Sequence, residues 1–500
     1  MRDLATSLVS FRLVGVRLDC VERPAGLFDR VHEWDDLVEF ATGKASGLRI
    51  AIVRGRRRHG KSFLLEHLCR ATGGLYTLAL RQSRAMALAR FAESLEPALG
   101  HTIGRFDNWV QALDAAVDGL TTKAGNGVPL LVLDEFPYLV AHSPELPSAI
   151  QALYDQRGPS TRRPPFRLVL CGSAISVMST LLAGDQALRG RAVLDLRIGP
   201  FKYRDSAEFW DTEPAEALRI DAVLGGAPGY RDIVGDPPAP GTKGFLRWLS
   251  RTMLNPSHVL FAEPEYLLAE DPRIGDRAIY HSIWEAVARG AATPVQIGGL
   301  VGMEAKTLAY HLRVMQDGGF LRHDEDLLWQ RKPIITVADP AVRFHHLIVR
   351  PNLIDLESRN PGAAWDRSGE TFMSKVLGPH FEHLCREWTK WYAGFEEVGH
   401  VGQTQVPCRT HRGHGVDVAA LDRRSSPRAK GGRVVLLGEA KLGGRVDAAA
   451  ELERLIHISE ILDGLGWDTK AVRFVIFGAD GFAGRPANAH LVDLQSLYGR

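Results

Sequence analysis

The sequence predicts an α/β fold built around a parallel sheet, and three observations carry that prediction. Apolar runs without polar alternation, at residues 48–53, 128–133 and 167–171, are separated by helical stretches, the pattern of strands buried on both faces. The first run leads directly into Gly55-Arg56-Arg57-Arg58-His59-Gly60-Lys61-Ser62, and an amphipathic stretch beginning at Phe63 follows. The second run ends in Asp134-Glu135, so two acids emerge at the carboxyl end of a buried strand.

Taken in order, residues 1–24 read as a loose tail. They mix Arg with short apolar stretches and lack the clean apolar segment and small-residue cleavage site of a signal peptide. A helix over 30–41, a strand over 48–54, the glycine-rich turn and a helix over 61–71 follow. A strand near 75–80, helices over 83–98 and 107–118, and the later apolar runs complete a core assigned to 25–204. Residues 205–270 turn helical, with Trp210, Trp248 and Phe261 as core candidates, and read as a lid. Between 271 and 345 lie a helix over 277–289, a helix opened by Thr293-Pro294 and ending near Gly302, and a helix over 304–317 stopped at Gly318-Gly319. Two short strands, 320–323 and 334–337, complete a winged helix-turn-helix. Residues 346–366, rich in Pro, Asn and Gly, read as a linker, and 367–500 as a last α/β unit.

Five hundred residues exceed what one core serves. Lys plus Arg (61) nearly balances Asp plus Glu (59), so global charge names no partner. The five cysteines, at 20, 69, 171, 385 and 408, form no C-x-x-C pair and no ligand cluster. They read as free thiols of a reducing compartment, without structural zinc. No apolar run approaches the ~18 residues of a membrane span, and a cytoplasmic protein is the default.

The loop at 55–62 fits the G-x-x-x-x-G-K-S phosphate-binding pattern, with strand and helix on the correct sides. Its glycines let backbone N–H groups and the helix N-terminus at Phe63 face an anion. Lys61 would reach the β- and γ-phosphates, and Ser62 would ligate Mg²⁺. Asp134 would hold the Mg²⁺ shell, and Glu135 would orient or deprotonate the attacking water. Ser173, at the tip of the third apolar strand, would lie near the γ-phosphate or serve as a helix cap. Arg189 and Arg191 are either γ-phosphate contacts or surface arginines. Residues 225–230, Gly-Gly-Ala-Pro-Gly-Tyr, either bring the lid over the nucleotide or form a turn.

These motifs, with Phe28-Asp29-Arg30, Cys171-Gly172-Ser173, Gly190-Arg191 and Gly225-Gly226-Ala227-Pro228 in order, resemble the prokaryotic, archaeal-type ATPase family of the AAA+/STAND group. The likeness spans roughly 25–345 and includes the triple arginine, Arg56 to Arg58, inside the phosphate loop. It implies a P-loop NTPase sheet with ATP, rather than GTP, as cofactor, and admits a homo-oligomer. Phe28-Asp29-Arg30-Val31 departs from the family's Gly-Arg-Glu, which weakens an adenine-contact role for that segment.

A second chemical site is expected near the C-terminus. Strand-like residues 415–421 carry Asp417, and after a basic insert the run 434–441 carries Glu439 and Lys441, which period two places on one face. Asp417 and Glu439 would bind Mg²⁺, Lys441 would steer the attacking water or stabilise charge, and Glu382 on an upstream helix would add a ligand. The arrangement is similar to the PD-(D/E)xK fold of restriction-endonuclease-like domains over about 367–480, with Val416 where the motif's proline stands. Residues 409–445 hold nine Lys or Arg against three Asp or Glu, which suits either a nucleic-acid backbone or a soluble loop. On the helix over 304–317, Lys306, His311 and Arg313 are candidates for a DNA groove, and Arg322, Arg331 and Lys332 for the wing. The expected function is an ATP-hydrolysing protein acting on DNA with a nuclease-like domain. The alternatives are a STAND-type switch whose C-terminal domain is catalytically silent, and a regulator using the winged helix alone.

Overall fold

The computed structural model describes residues 21–184, 186–331, 333–408 and 413–500. Most of the expected tail, Cys20, Lys332 of the expected wing and His411 of the basic segment lie outside the described residues.

Five strands, β1 (Leu48–Arg54), β2 (Leu75–Leu78), β3 (Leu130–Asp134), β4 (Phe166–Gly172) and β5 (Ala192–Arg197), form a parallel sheet in the order β2-β3-β4-β1-β5. Their side chains feed two cores. Leu48, Ile50 and Ile52 of β1, with Leu168 and Leu170 of β4, pack with helices Arg84–Leu99, Trp109–Ala124 and Leu146–Arg157. Ala51, Val53, Val169 and Cys171 pack with helices Val31–Thr42 and Lys61–Thr72. This double burial is why the runs are apolar at every position. Strand β5 went unanticipated because it is an edge strand, exposing Val193, Asp195 and Arg197 in alternation. Because β1 lies between β4 and β5, the loop leaving it sits inside the sheet's carboxyl edge.

Helices Tyr203–Trp210, Pro214–Leu224 and Thr242–Arg251 occupy much of the expected lid, burying Trp210 and Trp248 but Phe261 only partly. Helices Arg277–Ala288, Pro294–Val301 and Ala305–Asp317 then precede an antiparallel pair, β6 (Leu321–Asp324) and β7 (Ile334–Val337). Thr293 and Gln296 cap the middle helix reciprocally, and Gly302 closes it at φ 74°. Trp284, Leu308, Leu312, Met315, Ile335 and Val337 share one core.

Residues 346–366 correct the expectation of a linker. They continue from His345–Val349 through Leu353–Glu357 into Pro361–Thr371, helical over most of their length, and bury Leu347, Ile348, Val349, Leu356 and Ala364. Asn360 caps the last helix and Pro361 fills its first turn, so residue types read as coil are helix-start signals here. The same core takes in Tyr203, Ile220 and Phe245 of the lid helices and Phe381, Val418 and Phe477 further along. The Tyr203 hydroxyl donates to the Leu497 carbonyl at 2.7 Å. The helices of 203–251 and the C-terminal unit are therefore fused through shared apolar packing.

That unit contains β8 (Val398–Val406), β9 (His414–Asp422), β10 (Val434–Lys441), β11 (Val446–Asp447), β12 (Arg473–Gly478), β13 (Phe482–Ala483) and β14 (Ala489–Asp493). Its main sheet runs β14-β12-β10-β9-β8, antiparallel across β8 to β10 and parallel across β10, β12 and β14. Helix Gly378–Trp391 packs in the core on one side, and helix Ala448–Gly464 in the core on the other. Among the described residues, no helix is long and apolar enough to cross a membrane.

Candidate functional site

The loop between β1 and helix Lys61–Thr72 is held by its own residue types. Gly60 adopts φ 87°, a left-handed conformation that costs glycine little, and a Cβ on Gly55 would stand 2.1 Å from the Ile198 carbonyl oxygen. The buried Lys61 ammonium donates to the Arg56 carbonyl at 3.0 Å. Ser62 Oγ donates to Asp134 Oδ2 at 2.6 Å, and the Tyr76 hydroxyl donates to the same oxygen at 2.6 Å. Asp134 is fully buried at the end of β3, and its Oδ1 accepts the Glu135 N–H at 2.8 Å. Ser173 Oγ donates to Glu135 Oε2 at 3.1 Å. Glu135 itself holds φ 52°, a rare backbone state for a long side chain and one that gathers at functional sites. The fold thus brings Lys61, Ser62, Asp134, Glu135 and Ser173 together at the loop. Tyr76 was not anticipated, since nothing local marks a tyrosine on β2 as a partner of β3.

A cavity of about 410 Å³ opens on the loop, lined among others by Leu27, Phe28, Lys61, Ser62, Glu135 and Phe209. Phe28, Phe201 and Phe209 meet with ring centroids 5.2–5.4 Å apart. Phe28, in the segment whose departure from the family motif weakens an adenine-contact role, thus forms part of an aromatic wall beside the phosphate loop. Pro228 and Gly229 also line this space, and the Gly229 N–H donates to the Arg58 carbonyl at 3.0 Å. The glycine-rich segment 225–230 thus reaches the loop. An anion and a hard cation suit this donor set of loop N–H groups, ammonium, hydroxyl and carboxylate.

The arginine side chains of the loop lead elsewhere. Arg56 pairs with Asp339 at 2.7 Å, Arg57 with Glu270 at 3.2 Å, and Arg58 with both oxygens of Glu263 at 2.8 Å. Arg56 also lies over the Phe320 ring, and Arg58 over Tyr230. What 56–58 can offer a nucleotide is chiefly backbone, while the guanidinium groups tie the loop to the helices and hairpin beyond it. His59 Nδ1 lies 3.1 Å from the Ile198 carbonyl, and burial followed by the Arg56 charge pulls its pKa down to about 3. Arg191 is a clear correction. It precedes β5, whose Ala192 pairs with Ile50, so it stands at the opposite end of β1 from the loop and is held by Asp155 at 3.1 Å. Glu263, Glu270 and Asp339 escaped the sequence reading because their partners lie some 200 residues or more away.

Glu270 gives a pH test. Burial lifts its carboxyl from the ordinary 4.5 to about 7, opposed by Arg57, Arg56 and Lys61. Between these values the folded chain holds a proton that the unfolded chain has lost, so ionisation costs stability as pH rises through the window. In urea titrations from about pH 5 to about pH 8, Glu270→Gln is expected to gain stability relative to wild type as the pH increases.

On the C-terminal sheet, β9 and β10 pair antiparallel with Gly438 opposite Val418, which places Glu439 across from Asp417 at the next step. Asp417 Oδ2 accepts the Ala440 N–H at 3.0 Å. Burial, then the Glu439 charge, raises the Asp417 pKa. Lys441 donates to Glu439 Oε1 at 2.9 Å and lies 3.4 Å from Glu451. Arg454 Nη1 lies 2.6 Å from Glu439 Oε2 in an ion pair not aligned as a hydrogen bond. Glu382 feels the same field, with burial first and Asp417 second lifting its pKa to about 7. Among the described residues, Glu382 is not gathered with Asp417 and Glu439 into one metal-sized group, although it lies within their field. Arg386, one turn beyond it, donates to the Asp417 carbonyl at 2.9 Å. Asp417 and Glu439 remain, a donor pair of the kind that suits Mg²⁺ keeping several waters. Arg454 and Glu451 were missed because a helix 17 residues long gives no sequence cue to which acids it faces.

Helix Ala305–Asp317 exposes Lys306, Tyr310 and Arg313, while His311 turns to the Tyr280 ring. The expected wing is not free. Leu327 and Leu328 are buried with the C-terminal sheet, the Leu327 N–H donates to the Gln403 carbonyl at 3.0 Å, and Arg331 to the Gln405 carbonyl at 3.1 Å. Arg322 is held by Asp324 and Thr336. The apolar Leu-Leu-Trp at 327–329 accounts for this docking. Arg428 of the basic insert pairs with Glu325 at 2.5 Å on the same surface.

Comparison with known proteins agrees with the first part of this description. Residues 48–207 match the AAA domain family. The match falls on the part of the chain that carries the five-stranded parallel sheet and the loop of 55–62, an α/β arrangement consistent with a P-loop ATPase. An uncharacterized protein of Methanocaldococcus jannaschii is 24% identical over 390 residues, covering 76% of this chain and 81% of that one. Among solved structures, a Walker-type ATPase of Pyrococcus abyssi is similar with a TM-score of 0.48 at 18% identity, over 65% of this chain and 97% of its own. The ORC2 protein of Aeropyrum pernix, in ADPNP-ADP complexes, follows at 0.46 and 14%, over 68% and 96%.

Proposed function

We propose that the chain binds ATP with Mg²⁺ at the loop of 55–62, hydrolyses it, and uses the cycle to act on DNA through the helix at 305–317 and the C-terminal unit. The observation that carries this reading is the Ser62–Asp134 contact of 2.6 Å beneath the loop, with Glu135 beside it. Lys61 neutralises phosphate charge, Ser62 and Asp134 hold the cation, and Glu135, oriented by Ser173, takes the proton of the attacking water. Phe28, Phe201 and Phe209 provide a face for the base. The arginine pairs to Glu263, Glu270 and Asp339 make a change in the loop felt by the lid helices, the helix-turn-helix unit and, through the shared core, the C-terminal sheet. Asp417 and Glu439 are the metal ligands of a nuclease-like site, with Lys441 beside the water and the surplus positive charge of the sequence at 409–445 suited to a nucleic-acid backbone.

A second reading has its own support. The Glu439 carboxylate is neutralised by both Lys441 and Arg454, the condition of a stable ion-pair network rather than of a site waiting for a cation. In that case the chain is an ATP-dependent switch with a silent C-terminal domain. The readings separate on supercoiled and single-stranded DNA incubated with Mg²⁺ or Mn²⁺, with and without ATP. Nicking that disappears in Glu439→Ala and Lys441→Ala is the expected result. ATP turnover without cleavage under either metal leaves the switch.

A further inference from the structure

Cys408 stands two residues past the end of β8, and His414 opens β9, where it pairs with Val406 across the hairpin. His457 comes from helix Ala448–Gly464, which packs over that sheet. One ligand atom from each of these three residues lies within 4.8 Å of the others, the Cys408 Sγ being 3.9 Å from His457 Nε2. The rings of His414 and His457 stand 5.5 Å apart at 87°. All three side chains are half-buried.

We propose that Cys408, His414 and His457 form a binding site for a Zn²⁺-type cation that clamps helix Ala448–Gly464 to the β8–β9 hairpin. Tetrahedral zinc, with Zn–S near 2.3 Å and Zn–N near 2.0–2.1 Å, sets sulfur–nitrogen edges of about 3.5 Å. The separations here close to that value with small side-chain rotations. A thiolate and two imidazoles select borderline-soft Zn²⁺ over Mg²⁺ or Ca²⁺, so this site differs in kind from the carboxylates of Asp417 and Glu439. The described residues supply three of the four ligands that tetrahedral zinc takes. The clamp has a consequence for its surroundings. Arg454, one turn before His457, donates to the Gly415 carbonyl at 2.7 Å and faces Glu439, so the ion fixes the helix that carries Arg454 and Glu451 against the strand that carries Asp417. The expectation of cysteines without ligand partners is corrected by this cluster. Spacing concealed it, because Cys408 and His457 are 49 positions apart and belong to different elements.

The test uses the full chain, dialysed against EDTA and titrated first with Co²⁺ and then with Zn²⁺. Wild type is expected to take up one equivalent of Co²⁺ with a thiolate-to-metal charge-transfer band and tetrahedral visible bands, both bleached by one equivalent of Zn²⁺. Cys408→Ser is expected to lose the charge-transfer band, and His457→Ala to bind Zn²⁺ at least about tenfold more weakly. ATP binding by both variants monitors their folding. The wild-type spectrum decides the matter if either variant fails to fold, since a spectrum without thiolate character overturns the site. A charge-transfer band that persists in Cys408→Ser assigns the metal to another cysteine and overturns it equally.

Discussion

Glu135→Gln is expected to bind ATP and fail to turn it over, with kcat lower by about 10²–10⁴-fold. The amide has the shape of the carboxylate and can still accept the Ser173 hydroxyl, now 3.1 Å away, so the strained turn at φ 52° keeps its support. What the amide cannot do is accept the proton of attacking water. Lys61→Ala separates cleanly from this. It removes a buried ammonium whose bond to the Arg56 carbonyl closes the loop, and leaves the phosphate charge without a cation. Loss of binding as well as turnover is the expected outcome, read by calorimetry with a non-hydrolysable ATP analogue and by phosphate release. Undiminished hydrolysis in Lys61→Ala removes the assignment of this loop. Full turnover in Glu135→Gln moves the role of base to another carboxylate, and Glu270, whose pKa burial raises to about 7 within the field of Lys61, becomes the first to examine.

How far the sequence could be read depended on the range of each interaction. The loop of 55–62, the acids at 134–135 and the strands around them were legible because each signal is local, an apolar run ending in glycine or carboxylate. Thr293, Gly302 and Gly318 likewise announced their helix boundaries. Side-chain destinations were not legible. Nothing near Arg56, Arg57 and Arg58 says that their charges meet Asp339, Glu270 and Glu263, and Arg191 stood open as a γ-phosphate contact or a surface arginine until parallel pairing put it at the amino end of β5. Residues 346–366 misled for a different reason, since Pro and Asn mark helix starts as readily as coil. At the C-terminal face, period two aligned Glu439 with Lys441 correctly, yet the counter-charge from Arg454 arrives from a helix the strand pattern cannot see.

Arg58→Ala is expected to destabilise the chain by about 3–5 kcal/mol, far more than Arg57→Ala, for which about 1 kcal/mol or less is expected. The two arginines are neighbours with the same chemistry, so the difference rests on their partners. The Glu263 side chain is 1% exposed and takes two hydrogen bonds from Arg58 and one from the Tyr230 hydroxyl, whereas Arg57 is 47% exposed. Truncating Arg58 strands a buried carboxylate, and truncating Arg57 loosens a contact that solvent already screens. Replacing both members, as Arg58→Met with Glu263→Leu, is expected to recover much of the loss, because the cost lies in the orphaned charge and not in the absence of the pair. Guanidinium denaturation of the three variants reads these differences directly. The double variant also isolates coupling from stability. The Gly229 N–H still meets the loop backbone at residue 58, so ATP is expected to bind, but the charged link to the lid is gone. Nucleotide-dependent protection of 205–270 from limited proteolysis should then be lost in a protein of restored stability. Retained protection would place the coupling instead in Arg56 and Asp339, on the side of the three helices and hairpin of 277–337.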